Sequence, residues 1–507
     1  MDVSVSFCRY ALGVDSACRP GSQFMPYEGG ALMGERRKIG KRFWSVTARV
    51  AVLVAVAVSL VMTGVPLGPA QGQASMTLRI TWFKWPPADL LQQMGNLYTQ
   101  SHPNIKVVVD EPPATQWFSS AFDQFLAGKT TFDAAVGDSQ WLGLGATKGY
   151  YVELTSWMKA NLPLQDFVPS LLAAYGQYPQ AKPGVTGGLD LVNGHFYGVP
   201  FEADALAWAY RKDWFADPAN QSAFMAKYHH PLRVPQSMDE LVEIADFFTQ
   251  PSKGIYGIAF HEANAYDAAA ESFNEFLWTY GGDLWNPDTH KVQGYVNSPR
   301  ALHALEILVH LAKDAPPGSG NYWFNECDTA MNQGKVALSN NWFGFLPGMR
   351  DPKASTLGKT VAEIDAKVGY FNNPPETYQG VTSHWSALGG QGLSISKFAP
   401  QDHQQAILDF IKWFQQPSIQ LVWAKTGVGG TANIKTLNSP EFLNSAPYAK
   451  LELPGYKIAR DFWNVPQYSK MLTVLTQTIN EAYTGQISPK DALDSIARRH
   501  EAILAGK

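Results

Sequence analysis

Five residues combine suggestive chemistry with suggestive spacing: Trp82 and Trp85, then Asp138, Gln140 and Trp141. A tryptophan offers a flat apolar face with one N–H at its edge. Carboxylates and amides offer hydrogen-bond partners. Core packing is the default reading of such rings, and their clustering in loops would favour a ligand cleft. Groupings that would make or break bonds are missing from the sequence. It has no GxSxG, no HExxH and no P-loop pattern. His261-Glu262 lacks a second histidine, and His229-His230 has no third ligand nearby, so both read as loop or surface residues. The three cysteines, Cys8, Cys18 and Cys327, show no CxxC or Cys/His spacing. That excludes a structural zinc site and a disulfide framework. Cys327 is expected to be a buried, inert thiol, and no catalytic residue, cofactor or metal is expected.

The elements around these residues explain why they matter. Met76–Trp82 predicts a strand, and Leu90, Leu91, Met94, Leu97 and Tyr98 recur at helical spacing until Ser101-His102-Pro103. Ile105–Val109 predicts a second strand, Gln116–Ala127 a helix closed by Gly128, and Phe132–Val136 a third strand. Strands alternating with helices predict βαβ units and a mainly parallel sheet. In such sheets ligands bind beyond the carboxyl ends of the strands, which is where the five residues fall. Further on, Asn193-Gly194-His195 predicts a hairpin-type turn. Phe196–Val199 predicts a strand stopped by Pro200, and Leu206–Tyr210 another. Pro235–Phe248 predicts a helix with a capping box, Ser237 and Glu240. Ile255–Phe260 predicts a strand leading into His261-Glu262-Ala263-Asn264, and Phe273–Tyr280 a helix closed by Gly281-Gly282. Ser298-Pro299, Ser439-Pro440 and Ser488-Pro489 each place a cap before a proline that opens a helix.

Composition narrows the class. At 507 residues the chain exceeds a single hydrophobic core, and its 45% hydrophobic and 17% charged content excludes disorder for the bulk of it. A net charge of −4 gives no support for nucleic-acid binding. Near the start, Arg36, Arg37, Lys38, Lys41, Arg42 and Arg49 precede an apolar run, Val50–Val61, broken only by Ser59. Gly68-Pro69-Ala70 and Gly72-Gln73-Ala74 follow. This basic, apolar, small-residue order predicts an export signal over 33–74, cut after Ala74 or Ala70. The rival is a membrane anchor, for which the apolar run is short. Arg36-Arg37-Lys38 suits a twin-arginine signal or an ordinary basic region equally. Residues 1–32 are read as an extension upstream of a natural start at Met33 or Met25. The expected location is periplasmic or extracellular.

An ordered set of segments resembles a known family. It includes His102-Pro103-Asn104-Ile105-Lys106-Val107, Phe132-Asp133-Ala134-Ala135-Val136 with Asp138-Ser139-Gln140-Trp141, and Asn193-Gly194-His195-Phe196-Tyr197-Gly198-Val199-Pro200. It continues with Tyr210-Arg211-Lys212-Asp213-Trp214-Phe215 and Met331-Asn332-Gln333-Gly334-Lys335-Val336-Ala337-Leu338 before Trp342. Gly389-Gly390-Gln391-Gly392-Leu393-Ser394-Ile395-Ser396 and Tyr483-Thr484-Gly485-Gln486-Ile487-Ser488-Pro489 complete it. Taken in order, these resemble the bacterial extracellular solute-binding proteins of family 1, the maltose-type substrate-binding components of ABC transporters.

The resemblance implies an α/β, two-lobed periplasmic-binding-protein-like fold of type II, its lobes joined by multiple hinge crossings. Lobe 1 would take 77–202 and 390–437, and lobe 2 would take 205–385 and 440–507. A sugar has an apolar face of C–H groups and a rim of hydroxyls. Rings bury the first, and carboxylates and amides bind the second. In the loops that the family uses, Trp85, Trp141 and Trp342 are candidate platforms. Asp138, Gln140, Asp204, Glu262, Asn264 and Gln391 are candidate hydroxyl partners, and Asp138 has helix capping as its alternative. Glu202 and Asp204 have a second reading as partners of a hinge Lys or Arg. The partners implied are a small-molecule carbohydrate or polyol and an inner-membrane ABC permease, with no nucleic acid and a monomeric state. The rival readings are a secreted glycoside hydrolase, which needs two carboxyls flanking the bond, and a binding protein for a non-carbohydrate solute.

Overall fold

The computed structural model describes residues 76–179 and 194–507. The readings placed on 1–74 and on Asn193 lie outside them.

The first βαβ units form as the periodicity predicts. Strand β1 (Met76–Thr81) leads into α1 (Pro86–Ser101), then β2 (Ile105–Asp110), α2 (Ala114–Leu126) and β3 (Ala134–Asp138). β1 pairs parallel with β2 from Met76↔Ile105 to Thr81↔Asp110, and with β3 on its other side. Leu78 and Ile80 of β1 are fully buried, as are Leu91 and nearly all of Met94 and Tyr98 on α1. One helix stripe therefore covers one sheet face, the burial that stabilises both elements. A short helix, α3 (Trp141–Thr147), follows β3 directly.

The middle of the chain holds β4 (Val199–Arg211), α4 (Met238–Phe248), β5 (Tyr256–Ala259), α5 (Ala268–Thr279) and α6 (Pro299–Leu311). Then come α7 (Phe324–Asn332), β6 (Val336–Trp342), β7 (Val368–Asn372) and β8 (Ser386–Ile395). The last part contributes β9 (Ala459–Arg460), α8 (Tyr468–Tyr483) and α9 (Pro489–Leu504). Among the described residues, nine strands share one sheet with the path β2-β1-β3-β8-β4-β6-β5, while β9 pairs with β8 and β7 with β4. No described helix is long and apolar enough to cross a membrane.

Two strands, β4 and β8, tie the two halves of the sheet together. The first half of β4 pairs antiparallel with β8 over Val199–Ala205, and its second half pairs with β6 over Leu206–Tyr210. β8 in turn pairs with β3 through Gln391–Ile395. The sequence had suggested that Pro200 would stop a strand. Instead β4 runs through it, because Pro200 sits opposite Gly392, where the register shifts between Gln391 and Gly392. A residue without an N–H fits at such an irregularity, and the Pro200 carbonyl accepts from Gln415 Nε2 at 2.7 Å.

The three Ser-Pro caps form as expected: Ser298, Ser439 and Ser488 each accept a backbone N–H three residues on. Ser237 likewise accepts from the Glu240 N–H at 3.1 Å, while the Glu240 carboxylate reaches the Gln236 N–H at 3.0 Å. α5 starts at Ala268, five residues before the predicted Phe273, since Ala268-Ala269-Ala270 are good helix formers that carry no amphipathic signal. This early turn carries two acids into the site described below.

Gly390 in β8 shows why the crossing is tight. Its φ is +79°, and a Cβ there would lie 2.4 Å from the Tyr175 hydroxyl and 2.5 Å from the Glu202 carbonyl oxygen. Gly390→Ala is therefore expected to cost about 2–4 kcal/mol, read as a lower melting temperature. An unchanged melting temperature would contradict this packing.

Candidate functional site

The carboxyl ends of several strands converge on one cavity of about 670 Å³, its mouth to solvent included. Phe83 and Trp85 follow β1, Asp138, Ser139 and Gln140 end β3, and Gly389, Gly390 and Gln391 come from β8. β4 supplies Asp204, and the end of β6 supplies Trp342 with Phe345 beyond it. Tyr266, Asp267 and Glu271 arrive at the start of α5, and Trp323 with Phe324 at the start of α7.

Rings from two distant stretches of the chain form a continuous run. Trp117 lies 4.7 Å from Phe83, which stacks on Trp85 at 4.8 Å with planes 20° apart. Trp85 meets Phe345 at 5.7 Å, Phe345 stacks on Phe324 at 4.3 Å, and Phe324 touches Trp323 at 4.4 Å. Trp342 is 7% exposed and lies against Gly389, whose missing side chain leaves room for the ring.

Among these rings stand acids. Asp138 Oδ1 accepts from Gln391 Nε2 at 2.9 Å, and Oδ2 accepts from the Tyr266 hydroxyl. Asp138 caps nothing: the helix after it has no side-chain cap. Asp204 accepts the N–H of Ala205 at 2.8 Å and of Gly344 at 3.2 Å. Among the described residues no Lys or Arg forms an ion pair with Glu202 or Asp204; Glu202 accepts from the Gly430 N–H at 3.1 Å instead. Glu271 is 1% exposed, and its Oε2 has no hydrogen-bond partner. Asp267 is half-buried, with Oδ1 closed off and unpartnered.

Residues 139–143 and 461–464 meet through polar groups beside the cavity. Ser139 Oγ donates to Asp461, Gln140 Nε2 donates to Asp461 at 3.0 Å, and the Gly143 N–H donates to Asn464 Oδ1 at 2.5 Å. Tyr266 completes the set, with Trp141 Nε1 donating to its hydroxyl at 3.3 Å. Tyr266 has a φ of +40°, an uncommon backbone for a tyrosine.

Burial dominates the electrostatics. It pushes Asp138 up to about 6 against the pull of Tyr266 and Gln391. It pushes Asp204 up to about 7 against its backbone N–H bonds, and Asp461 up to about 7 against its bond from Ser139. Asp267 and Glu271 rise well above the usual range through burial first and neighbouring carboxylates second. The folded protein thus holds protons that the unfolded chain releases. That stability is complete below pH ~4 and is lost as pH rises through about 7. The expected result is a higher melting temperature at pH 5 than at pH 8 without ligand, with a smaller difference in an Asp204→Asn, Asp461→Asn double variant. A melting temperature that rises with pH across this window would contradict the assignment.

The structure brings six of the nine sequence-derived candidates to the cavity: Trp85, Asp138, Gln140, Asp204, Trp342 and Gln391. Trp141 is fully buried behind it, 4.3 Å from Trp117, and reaches the site only through Tyr266. Glu262 is buried outside the lining, its N–H bonded to the Tyr322 carbonyl, and Asn264 is exposed. His261, read as a solvated loop residue, is fully buried and donates from Nε2 to Asn341 Oδ1 at 3.3 Å. Sequence reasoning missed Trp117, Trp323, Tyr266, Asp267 and Glu271. Only Asp267, ahead of an alanine run, carried a local signal, that of a helix start.

A family model for bacterial extracellular solute-binding protein matches residues 84–421. The chain belongs to this family. Solute-binding proteins that it resembles include a mannitol-binding protein of Pseudomonas aeruginosa, 23% identical over 457 residues that span 84% of this chain and 92% of the relative. Among solved structures, an ABC-transporter solute-binding protein of Agrobacterium radiobacter in complex with ribitol is 25% identical, with a TM-score of 0.68 over 83% of this chain and 97% of that one. Maltose-bound MalE3 of T. maritima is 23% identical, with a TM-score of 0.69 over 84% and 99%. The two-lobed, type II fold with strands crossing between lobes is the fold of this solute-binding family.

Proposed function

We propose that this solute-binding protein captures a sugar or polyol between its lobes and delivers it to an ABC permease after export to the periplasm or cell exterior. The observation that carries the reading is the joint lining of one interlobe cavity by a run of rings and by unpartnered oxygen acceptors. Ring faces bury C–H surfaces, and carboxylate and amide oxygens accept from hydroxyls. A ligand lacking those hydroxyls would leave the acceptors buried and unpaired, which is costly, so such a site discriminates well. Mannitol, ribitol and maltose in the named relatives support this class of ligand. The lobes take 77–202 with 390–437 and 205–385 with 440–507. A ligand touching both lobes favours the closed arrangement, in which Asp461 and Asn464 meet Ser139, Gln140 and Gly143. No bond in the ligand is made or broken.

A thermal-shift panel of hexitols, pentitols, monosaccharides and maltodextrins tests the reading. A ligand that binds only the folded state raises the melting temperature, so at least one member is expected to raise it by several degrees. A flat response across the panel would overturn the proposal.

A further inference from the structure

The cavity is unbalanced in charge and in hydrogen-bonding sense. Asp138, Asp204, Asp267 and Glu271 line it, and no Lys, Arg or His does among the described residues. Lys84, between the lining residues Phe83 and Trp85, is engaged elsewhere, pairing with Asp89 at 2.5 Å and Glu111 at 2.6 Å. Four buried lining oxygens lack a partner: Asp267 Oδ1, Glu271 Oε2, Gln140 Oε1 and Gln391 Oε1. The side chains of Gln140, Gln391 and Glu271 belong to residues 5%, 8% and 1% exposed, so water reaches them poorly. The unpartnered donors in the lining are the indole N–H groups of Trp85, Trp117 and Trp323.

A hydroxyl brings one proton and two lone pairs, so a neutral polyol asks for donors as well as acceptors. An ammonium brings three protons and no lone pair, and so matches a surplus of acceptors. Beside Asp267 and Glu271, whose buried carboxyls otherwise keep their protons, it supplies the positive charge that lets them ionise, and it gains from the negative faces of the ring run. Burial first, and then Asp267, Asp461 and Asp138, raise the proton affinity of Glu271, in keeping with a site short of positive charge.

We propose that the cleft takes an ammonium-bearing sugar or polyol in preference to its neutral counterpart, with the amine held among Asp138, Asp267 and Glu271. This rests on the sugar or polyol reading and narrows it. Titration calorimetry at pH 7 on the exported chain tests it with matched pairs: 1-amino-1-deoxy-D-glucitol against D-glucitol, and D-glucosamine against D-glucose, with N-acetyl-D-glucosamine as the uncharged amide. In at least one pair the amine is expected to bind about tenfold or more tighter, and the N-acetyl sugar is expected to follow the neutral compound. Glu271→Gln, folded by circular dichroism, is expected to erase most of that preference. Neutral members that bind as tightly as their amines, or more tightly, would overturn the inference and leave the wider reading intact. A preference unchanged in Glu271→Gln would overturn the assignment of the amine to these acids. No binding by any amine or neutral member would overturn both.

Discussion

Trp342→Ala is expected to weaken ligand binding by about 50-fold or more while the protein stays folded. The ring sits at the end of β6, against Gly389 of β8, with one surface turned to the cavity. Its removal takes away apolar burial worth roughly 1.5–3 kcal/mol and whatever stacking the ligand adds. It also opens the cavity to water, which competes for Asp204 nearby. Because Trp342 borders a cavity rather than filling the middle of a core, the loss of stability should be smaller than the ~3–5 kcal/mol of a fully buried tryptophan. Calorimetric titration with the best ligand of the panel, beside a thermal melt without ligand, separates the two effects. Affinity within threefold of the parent would remove Trp342 from the site.

Asp138→Ala is expected to cost about 100-fold in affinity or more. Asp138 ends β3, receives Gln391 from β8, and receives Tyr266 from the turn before α5. It therefore has two roles, as an acceptor in the cavity and as a group that joins segments distant in the chain. Hydrogen bonds to a charged group are worth about 1.5–3 kcal/mol each, and the substitution removes at least two. Asp138→Asn keeps the shape and one acceptor, so it should recover part of the loss. Comparing the two variants by titration distinguishes charge from geometry. Equal affinity in Asp138→Ala and the parent would show that Asp138 serves only the protein.

Much of this arrangement was legible in the chain itself, for identifiable reasons. The first three strands and two helices announce themselves by period, and the loops after them carry Trp85, Asp138 and Gln140 to the cavity. The Ser-Pro caps are local chemistry and formed as read. Pro200 misled because a strand irregularity opposite Gly392 tolerates proline, and that irregularity depends on another strand far along the chain. Trp141 and Trp117 look alike in sequence, since each lies in the first turn of a helix. Only packing puts Trp117 in the lining and Trp141 behind it. Asp267 and Glu271 were hidden because an alanine-rich turn has no amphipathic pattern to extend a helix boundary by. The lobe that supplies them folds over a site whose other half lies 130 residues earlier, at Asp138.

The most direct measurement of the central claim is a titration of the purified protein with the best polyol or sugar from the panel, followed by mass analysis of the recovered ligand. The account predicts a single saturable site per chain, weakened about 50-fold or more in Trp342→Ala, with the ligand returned unchanged. A ligand returned cleaved or modified, or affinity in the Trp342 variant within threefold of the parent, would contradict it.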